Sequence, residues 1–109
     1  MTSDYSHLTH IKSLDELGLY ELIPNIVWIF DLDRHGWWWG NAAALTFWGL
    51  NSVDELINKD LSGDTQGAKD RMHQTFELAA KNGLSIDPWT TYPNGKAKTL
   101  YMLHRAVLV

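Results

Sequence analysis

The sequence predicts an α+β domain in which helices cover one face of a single antiparallel sheet. Two β-hairpins are indicated, one in the first half of the chain and one at its end, and a long amphipathic helix lies between them. Hydrophobic residues make up 45% of the 109 positions, which is enough to bury one core, and the length leaves room for one domain rather than two.

The N-terminal residues predict an arm followed by a short helix. Residues 1–12 are polar and indicate a flexible arm or linker. A leading N-terminal helix is expected over residues 13–23, because Ser13 and Glu16 have the spacing of a capping box. Pro24 ends this helix, since a proline keeps the preceding residue out of the helical conformation.

The first hairpin joins residues 25–31, which read NIVWIFD, to a strand over residues 36–40. The first segment lacks alternation, which predicts a strand covered on both faces. The second contains Trp37, Trp38 and Trp39, and alternation puts the first and third of these on one face. At least one tryptophan should then lie on the outer face, covered by the leading helix and a second protomer, or else stay half exposed.

Three helices are predicted in the middle of the chain. Asn41 is a suitable N-cap for a helix that ends at Gly49, and Ser52 opens a second short helix with a capping box. The longest helix is predicted over residues 65–82, where apolar residues recur at helical spacing and Gly83 provides the stop.

The second hairpin is indicated by the Asn94-Gly95 pair, a dipeptide typical of tight β-turns. Residues 84–92 predict the strand before it, although Pro88 within that strand belongs at a sheet edge or a bulge. Residues 97–109 predict a long strand that runs to the last residue.

Charge and composition exclude several classes of function. The net charge is −4 and the basic residues are scattered, which argues against nucleic acid as a partner. The chain has no cysteine, which excludes disulfides, thiolate chemistry and a flavin bonded to sulfur. The longest apolar run, residues 26–30, is too short to cross a bilayer, and no signal pattern opens the chain. A cytoplasmic location is therefore expected.

Five short motifs stand in a characteristic order: PNIVWIFD at 24–31, WGNAAAL at 39–45, FWG at 47–49, SVDEL at 52–56 and WTTYPNG at 89–95. In this order and spacing the chain resembles a PAS domain, the small sensor module of bacterial signalling proteins. It is most similar to PAS modules placed before GGDEF diguanylate cyclase or histidine kinase domains.

The resemblance covers residues 24–109 and implies a non-catalytic sensory module. Such a module binds a small ligand or partner and controls an output domain, here expected beyond residue 109. The inner face of its sheet meets the helices and encloses a pocket, and the outer face meets the N-terminal helix or a partner subunit, which implies a homodimer.

The fifth strand of the PAS sheet has no counterpart before residue 109. Either that strand lies outside this chain, so that the domain is truncated near its end, or the strand count is off by one. A missing central strand would leave backbone groups of two strands unpaired, and the N-terminal arm or a second copy of the chain could fill the gap.

Aromatic side chains are expected to converge between the sheet and the helices. A pocket lined by them would suit a small, flat or apolar ligand, whereas dense packing would make the same region a solid core. The candidate pocket residues are Trp28, Phe30, Trp39, Phe47, Trp48, Met72, Phe76, Trp89 and Tyr101. The candidates for a dimer interface or outer sheet face are Leu17, Tyr20 and Trp38.

The residues leave the cofactor open and predict no metal site. His73 lies on the long helix, which presents the haem ligand in some PAS domains, but it falls at the edge of the apolar face and indicates a boundary histidine. His7 and His10 could share a metal only in a helix and lack a third ligand, and Asp31 and Asp33 indicate a turn.

Two alternatives to the sensory module stay open. A ligand-free dimerisation or protein-interaction module would use the same aromatic, two-sided sheet. A small α+β enzyme would need a charged dyad in its pocket, and the sequence indicates none.

Overall fold

The computed structural model describes residues 5–109 and has the α+β composition that the sequence predicts. Besides the strands and α-helices given next, the described residues contain 3₁₀ turns over Leu14–Leu17 and Pro93–Gly95. The strands are β1 (Thr9–His10), β2 (Trp28–Asp31), β3 (Gly36–Gly40), β4 (Ser85–Thr91), β5 (Lys98–His104) and β6 (Val107–Leu108), and the helices are α1 (Gly18–Glu21), α2 (Ala42–Trp48), α3 (Val53–Ile57) and α4 (Gln66–Asn82).

The strands form three separate two-stranded ladders, so the prediction of a single sheet is wrong. β2 pairs antiparallel with β3, β4 pairs antiparallel with β5, and β1 pairs parallel with β6. Within residues 5–109, no strand is bonded to both hairpins, so the two hairpins do not join into one sheet.

The last predicted strand is interrupted between β5 and β6. The chain leaves β4 after His104, and Val107 and Leu108 pair instead with Thr9 and His10. The Ile11 amide donates a hydrogen bond of 2.7 Å to the Leu108 carbonyl at the end of this ladder. One long strand becomes two because its two parts have different partners.

The described part of the predicted arm packs against α4. The ring of Tyr5 lies 5.2 Å from that of Phe76, and His7 Nε2 lies 2.9 Å from the Ala80 carbonyl oxygen. Residues 1–4 of the arm lie outside the described residues. From Tyr5 onward, therefore, the arm makes contacts that a loose linker would not make.

A β-bulge at Trp38 changes the facing of the tryptophans. Ile29 pairs with Trp39 and Phe30 pairs with Trp37, so Trp38 is an extra residue in β3. Ile29 and Phe30 are consecutive in β2 and therefore point to opposite faces, and each shares its face with its partner in β3. Trp37 and Trp39 thus lie on opposite faces, so the prediction that they share one face is wrong. Both are 6% exposed in the single chain. The chain itself therefore covers both of these side chains, without a second protomer.

The caps of α2, α3 and α4 confirm the predicted helix boundaries. The Asn41 side chain accepts from the Ala44 amide at 3.0 Å, and Gly49 ends α2 with a left-handed φ of 71°. The hydroxyls of Ser52 and Thr65 each accept a bond from the amide three residues on. The leading segment differs, because Ser13 caps nothing and Glu16 accepts instead from the Lys12 amide at 2.7 Å.

Asn41 also ties the leading segment to the first hairpin. Its Nδ2 group donates to the carbonyls of Tyr20, Ile23 and Asn25 at 3.1, 3.3 and 2.9 Å. Its Oδ1 atom accepts from the Val27 amide at 3.2 Å as well as capping α2. The side chain is fully buried, so these bonds have no competition from water. We call this set of contacts the Asn41 junction.

Replacing Asn41 with alanine should lower the free energy of unfolding by about 3 kcal/mol or more, because it removes a helix cap and leaves several buried backbone groups without partners. The matched control is Ser52→Ala, which removes only a cap and should cost about 1 kcal/mol. Urea denaturation measures both variants. Equal losses in the two would show that the Asn41 junction contributes no more than an ordinary cap.

Candidate functional site

Five aromatic side chains pack together between the first hairpin and α2, and we call them the aromatic core: Trp28, Phe30, Trp37, Phe47 and Trp48. The ring of Trp37 lies 4.8 Å from Trp28, 5.1 Å from Phe30 and 5.7 Å from Trp48. These separations are those of directly packed aromatic pairs. The side chains therefore fill the space between them rather than line an apolar cavity.

The aromatic core contains two indole N–H groups with no acceptor among the described residues. The Nε1 atoms of Trp37 and Trp48 are both buried and unpaired. A buried donor without a partner costs about 1–3 kcal/mol. A polar atom of a ligand that reached the aromatic core could accept from either group.

Only four of the nine predicted pocket residues belong to the aromatic core, namely Trp28, Phe30, Phe47 and Trp48. Trp39 lies on the opposite face because of the bulge. Sequence reasoning missed Trp37, which the predicted alternation grouped with Trp39.

The other predicted pocket residues lie on α4 and the second hairpin. Phe76 packs on Tyr5, Met72 is half-buried, and Trp89 stacks under the Arg71 guanidinium. Tyr101 is 83% exposed, so its predicted place in a pocket is wrong. Leu100 and Met102, on either side of Tyr101, lie on the inner face of β5. They pair with Trp89 and Asp87, which are half-buried.

The residues predicted for an outer face have different environments. Leu17 is 2% exposed and is therefore buried in its own chain, which overturns its prediction as an interface residue. Tyr20 is 42% exposed, and Trp38 is half-buried. His73, considered as a haem ligand, is exposed on α4.

A polar cleft of about 460 Å³ lies next to the aromatic core. Three parts of the chain line it: Arg34 and His35 in the turn of the first hairpin, residues 57–62 after α3, and Lys69 in α4. The volume falls in the range of small-molecule sites, which hold roughly 300–1,000 Å³. We take this cleft as the candidate functional site.

The turn that carries Arg34 and His35 is ordered by local bonds. The Asp31 carboxylate accepts from the amides of Asp33 and Arg34 at 3.0 and 3.3 Å, which is the turn role that the sequence predicts for it. His35 adopts a left-handed φ of 53°, and its Nε2 atom lies 2.8 Å from Asp64 Oδ2. This pair joins the turn to the loop before α4.

The Arg34 side chain joins the turn to α3. Its guanidinium donates to the Trp37 carbonyl, beside the bulge, and to the Ile57 carbonyl at 3.3 Å. Gly36 makes room for it, since a Cβ there would lie 2.6 Å from Arg34 Nη1. Among residues 5–109, the groups that hold the guanidinium at the cleft are thus backbone carbonyls.

A second polar group, the Asp87 cluster, connects α4 to the second hairpin: Arg71, Asp87, Trp89 and His104. Arg71 donates to the Asp87 carboxylate at 2.7 Å and to the Pro88 carbonyl at 2.6 Å. Trp89 Nε1 donates to the same carboxylate at 3.0 Å, and His104 Nδ1 lies 3.5 Å from it without a hydrogen bond. Since Arg71 and Trp89 both donate to the Asp87 carboxylate, we interpret this cluster as a contact that holds α4 against the second hairpin.

Burial lowers the pKa of His104 below the ordinary histidine value of 6.5, although the Asp87 carboxylate and a hydrogen bond to the Ser85 backbone oppose the shift and Arg71 adds to it. The imidazole is therefore neutral at neutral pH. This environment has no local sequence signal, because α4 and the pairing of β4 with β5 bring the partners of His104 to it.

Neither histidine pair has a local sequence signal. His35 and Asp64 are separated by 29 residues, and Asp87 and His104 come together only because β4 and β5 pair. Among residues 5–109, no group of three or more acidic or histidine side chains is arranged to hold a metal ion. In the same residues, no helix is both long enough and apolar enough to cross a membrane.

Comparison with known proteins adds no relative: the chain matches no protein-family model, no curated protein and no solved structure.

Lowering the pH below about 6.5 should destabilise the wild-type chain in part through His104, because the unfolded state binds a proton at this residue more readily than the folded state does. Replacement of His104 with glutamine should reduce the loss of unfolding free energy between pH 7.5 and pH 5.5, measured by urea denaturation. The control His73→Gln, at an exposed histidine, should behave as wild type. An undiminished loss in His104→Gln would contradict the assignment.

Proposed function

We propose that the chain is a non-catalytic sensory module of a bacterial signal-transduction protein. It binds a small ligand and controls an output domain outside this chain, of the diguanylate cyclase or histidine kinase type. The order of helices and hairpins supports the proposal, since the PAS resemblance rests on the same order. A cytoplasmic location is part of the proposal and fits a sequence without cysteine.

The observation that carries the proposal is the polar cleft, because three separate parts of the chain line it. A ligand that contacts all three parts favours one arrangement of them over others. Differential affinity of this kind is what a ligand needs to shift a conformational equilibrium. The ligand is polar rather than apolar, since the aromatic core is filled by its own rings.

Helix α4 provides a physical connection from the cleft to the rest of the chain. Lys69 lines the cleft, and Arg71, two residues further, holds Asp87 in β4. Beyond it, Phe76 and Ala80 contact the N-terminal arm. A ligand that moves the start of α4 therefore acts on both the second hairpin and the β1–β6 ladder.

The test is a search for a ligand by thermal shift against a metabolite panel, followed by hydrogen exchange of the chain with the ligand found. A ligand at a hundredfold excess over its Kd should raise the free energy of unfolding by about 2.7 kcal/mol. Amide exchange should slow at residues 34–35 and 57–62, and it should also change in β4 and β5. A ligand that alters exchange only at the cleft, or a panel without any binder, would contradict the proposal.

A second candidate function is a ligand-free dimerisation module, and the outer face of the second hairpin favours it. Ile86 and Leu103 form a directly opposed pair and are 58% and 60% exposed, and Tyr101 opposes Pro88 beside them. Large exposed apolar patches mark interaction sites. The occupant under this proposal is a second copy of the chain.

A charge on this face should separate the copies if they associate there. Wild type should be a dimer in sedimentation equilibrium, Tyr101→Glu should be a monomer, and the control Leu78→Glu, at a 52% exposed position on α4, should remain a dimer. A wild type that is monomeric at all concentrations, or equal dissociation of both variants, would rule out this interface.

A further inference from the structure

We propose that the polar cleft binds a small oxyanion with two or more negative charges, held by Arg34, Lys59 and Lys69. This inference rests on the proposed function and deepens it by naming the class of ligand. The shared chemistry is that of phosphate and carboxylate groups, which guanidinium and ammonium groups bind through charge-assisted hydrogen bonds.

The charge of the cleft is opposite to that of the chain. The chain carries a net charge of −4, yet the cleft lining contains three permanent cations and one carboxylate, that of Asp60. Within residues 5–109, none of the three cations forms an ion pair with a carboxylate. A chain with more acidic than basic residues thus leaves three cations in one cleft available to an external anion.

Arg34 is positioned before any ligand binds. Backbone carbonyls of Trp37 and Ile57 hold its guanidinium, and neither neutralises its charge. The remaining N–H donors of the five on a guanidinium can bind a ligand. Because the side chain is already fixed, binding loses less conformational entropy than it would with a free arginine.

Lys59 is held at the cleft by an aromatic face. Its Nζ atom lies 5.6 Å from the centre of the Trp48 ring, a cation–π contact that leaves the ammonium donors free. Lys69 reaches the cleft from α4 and is half-buried. The three cations therefore come from three different parts of the chain, and three positive charges in one cleft attract an anion with several negative charges more strongly than a monovalent one.

The Asp60 carboxylate lines the same cleft and should repel an anion. Removing its charge should therefore change the affinity for an anion in the opposite direction from removing a cation. Its carboxylate accepts from the Ser62 amide at 2.9 Å, and hydrogen bonds from Ser62 lower its pKa, which keeps it charged. Removing this charge should strengthen the binding of an anion while leaving the cations in place.

Isothermal titration of the full chain with pyrophosphate and, separately, with citrate tests the inference. At least one of the two should bind with a stoichiometry of one, and Lys69→Gln should weaken that binding about tenfold, as expected for the loss of one charge-assisted hydrogen bond. Asp60→Asn should strengthen it. The matched control is Lys81→Gln, at an exposed position on the same helix, which should leave the affinity unchanged.

The two arms identify the source of the negative charge, since tighter binding of pyrophosphate assigns a phosphate ligand and tighter binding of citrate a carboxylate ligand. Absence of binding in both arms overturns the inference, as does equal weakening by Lys69→Gln and Lys81→Gln. A neutral metabolite that protects the cleft while both anions fail also overturns it, and leaves the proposed function standing. Anion binding that changes hydrogen exchange only at the cleft supports the inference and contradicts the sensory function.

Discussion

The side chain of Asn41 joins parts of the chain that are far apart in sequence. One end of the amide holds the leading segment through the Tyr20, Ile23 and Asn25 carbonyls, and the other caps α2. Since α2 carries Phe47 and Trp48 at its far end, the position of the aromatic core depends on the same amide. A Cβ at Gly49, which follows α2, would lie 3.0 Å from Asn94 Oδ1, so the end of α2 lies close to the turn of the second hairpin.

The bulge in β3 explains why the candidate site is a polar cleft instead of an aromatic pocket. Moving Trp37 to the face of Trp28 and Phe30 adds an indole ring to the space where a ligand was expected. The bulge also brings the Trp37 carbonyl to the Arg34 guanidinium. One extra residue in the strand thus fills the interior and places a cation at its border, which leaves the cleft at the edge of the domain as the candidate site.

Local signals predicted the elements well and long-range geometry poorly. The caps at Asn41, Ser52 and Gly83 and the Asn-Gly turn depend on neighbouring residues, so the sequence indicates them directly. The bulge at Trp38 has no local signature, and one residue of register decided which tryptophan joined the core. The cleft escaped prediction because Arg34, Lys59 and Lys69 meet only in the folded chain.

The one-sided pairing of β5 affects how the purified chain will behave at high concentration. Its outer edge presents backbone groups that no strand among residues 5–109 occupies, whereas β4 is protected on its own free edge by Pro88. Residues 99–103 of β5 read TLYML and contain neither a charge nor a proline. Uncharged apolar segments of this kind nucleate cross-β aggregation when an edge is open. Fibril growth of this protein should therefore start from the second hairpin rather than from its tryptophan-rich strand.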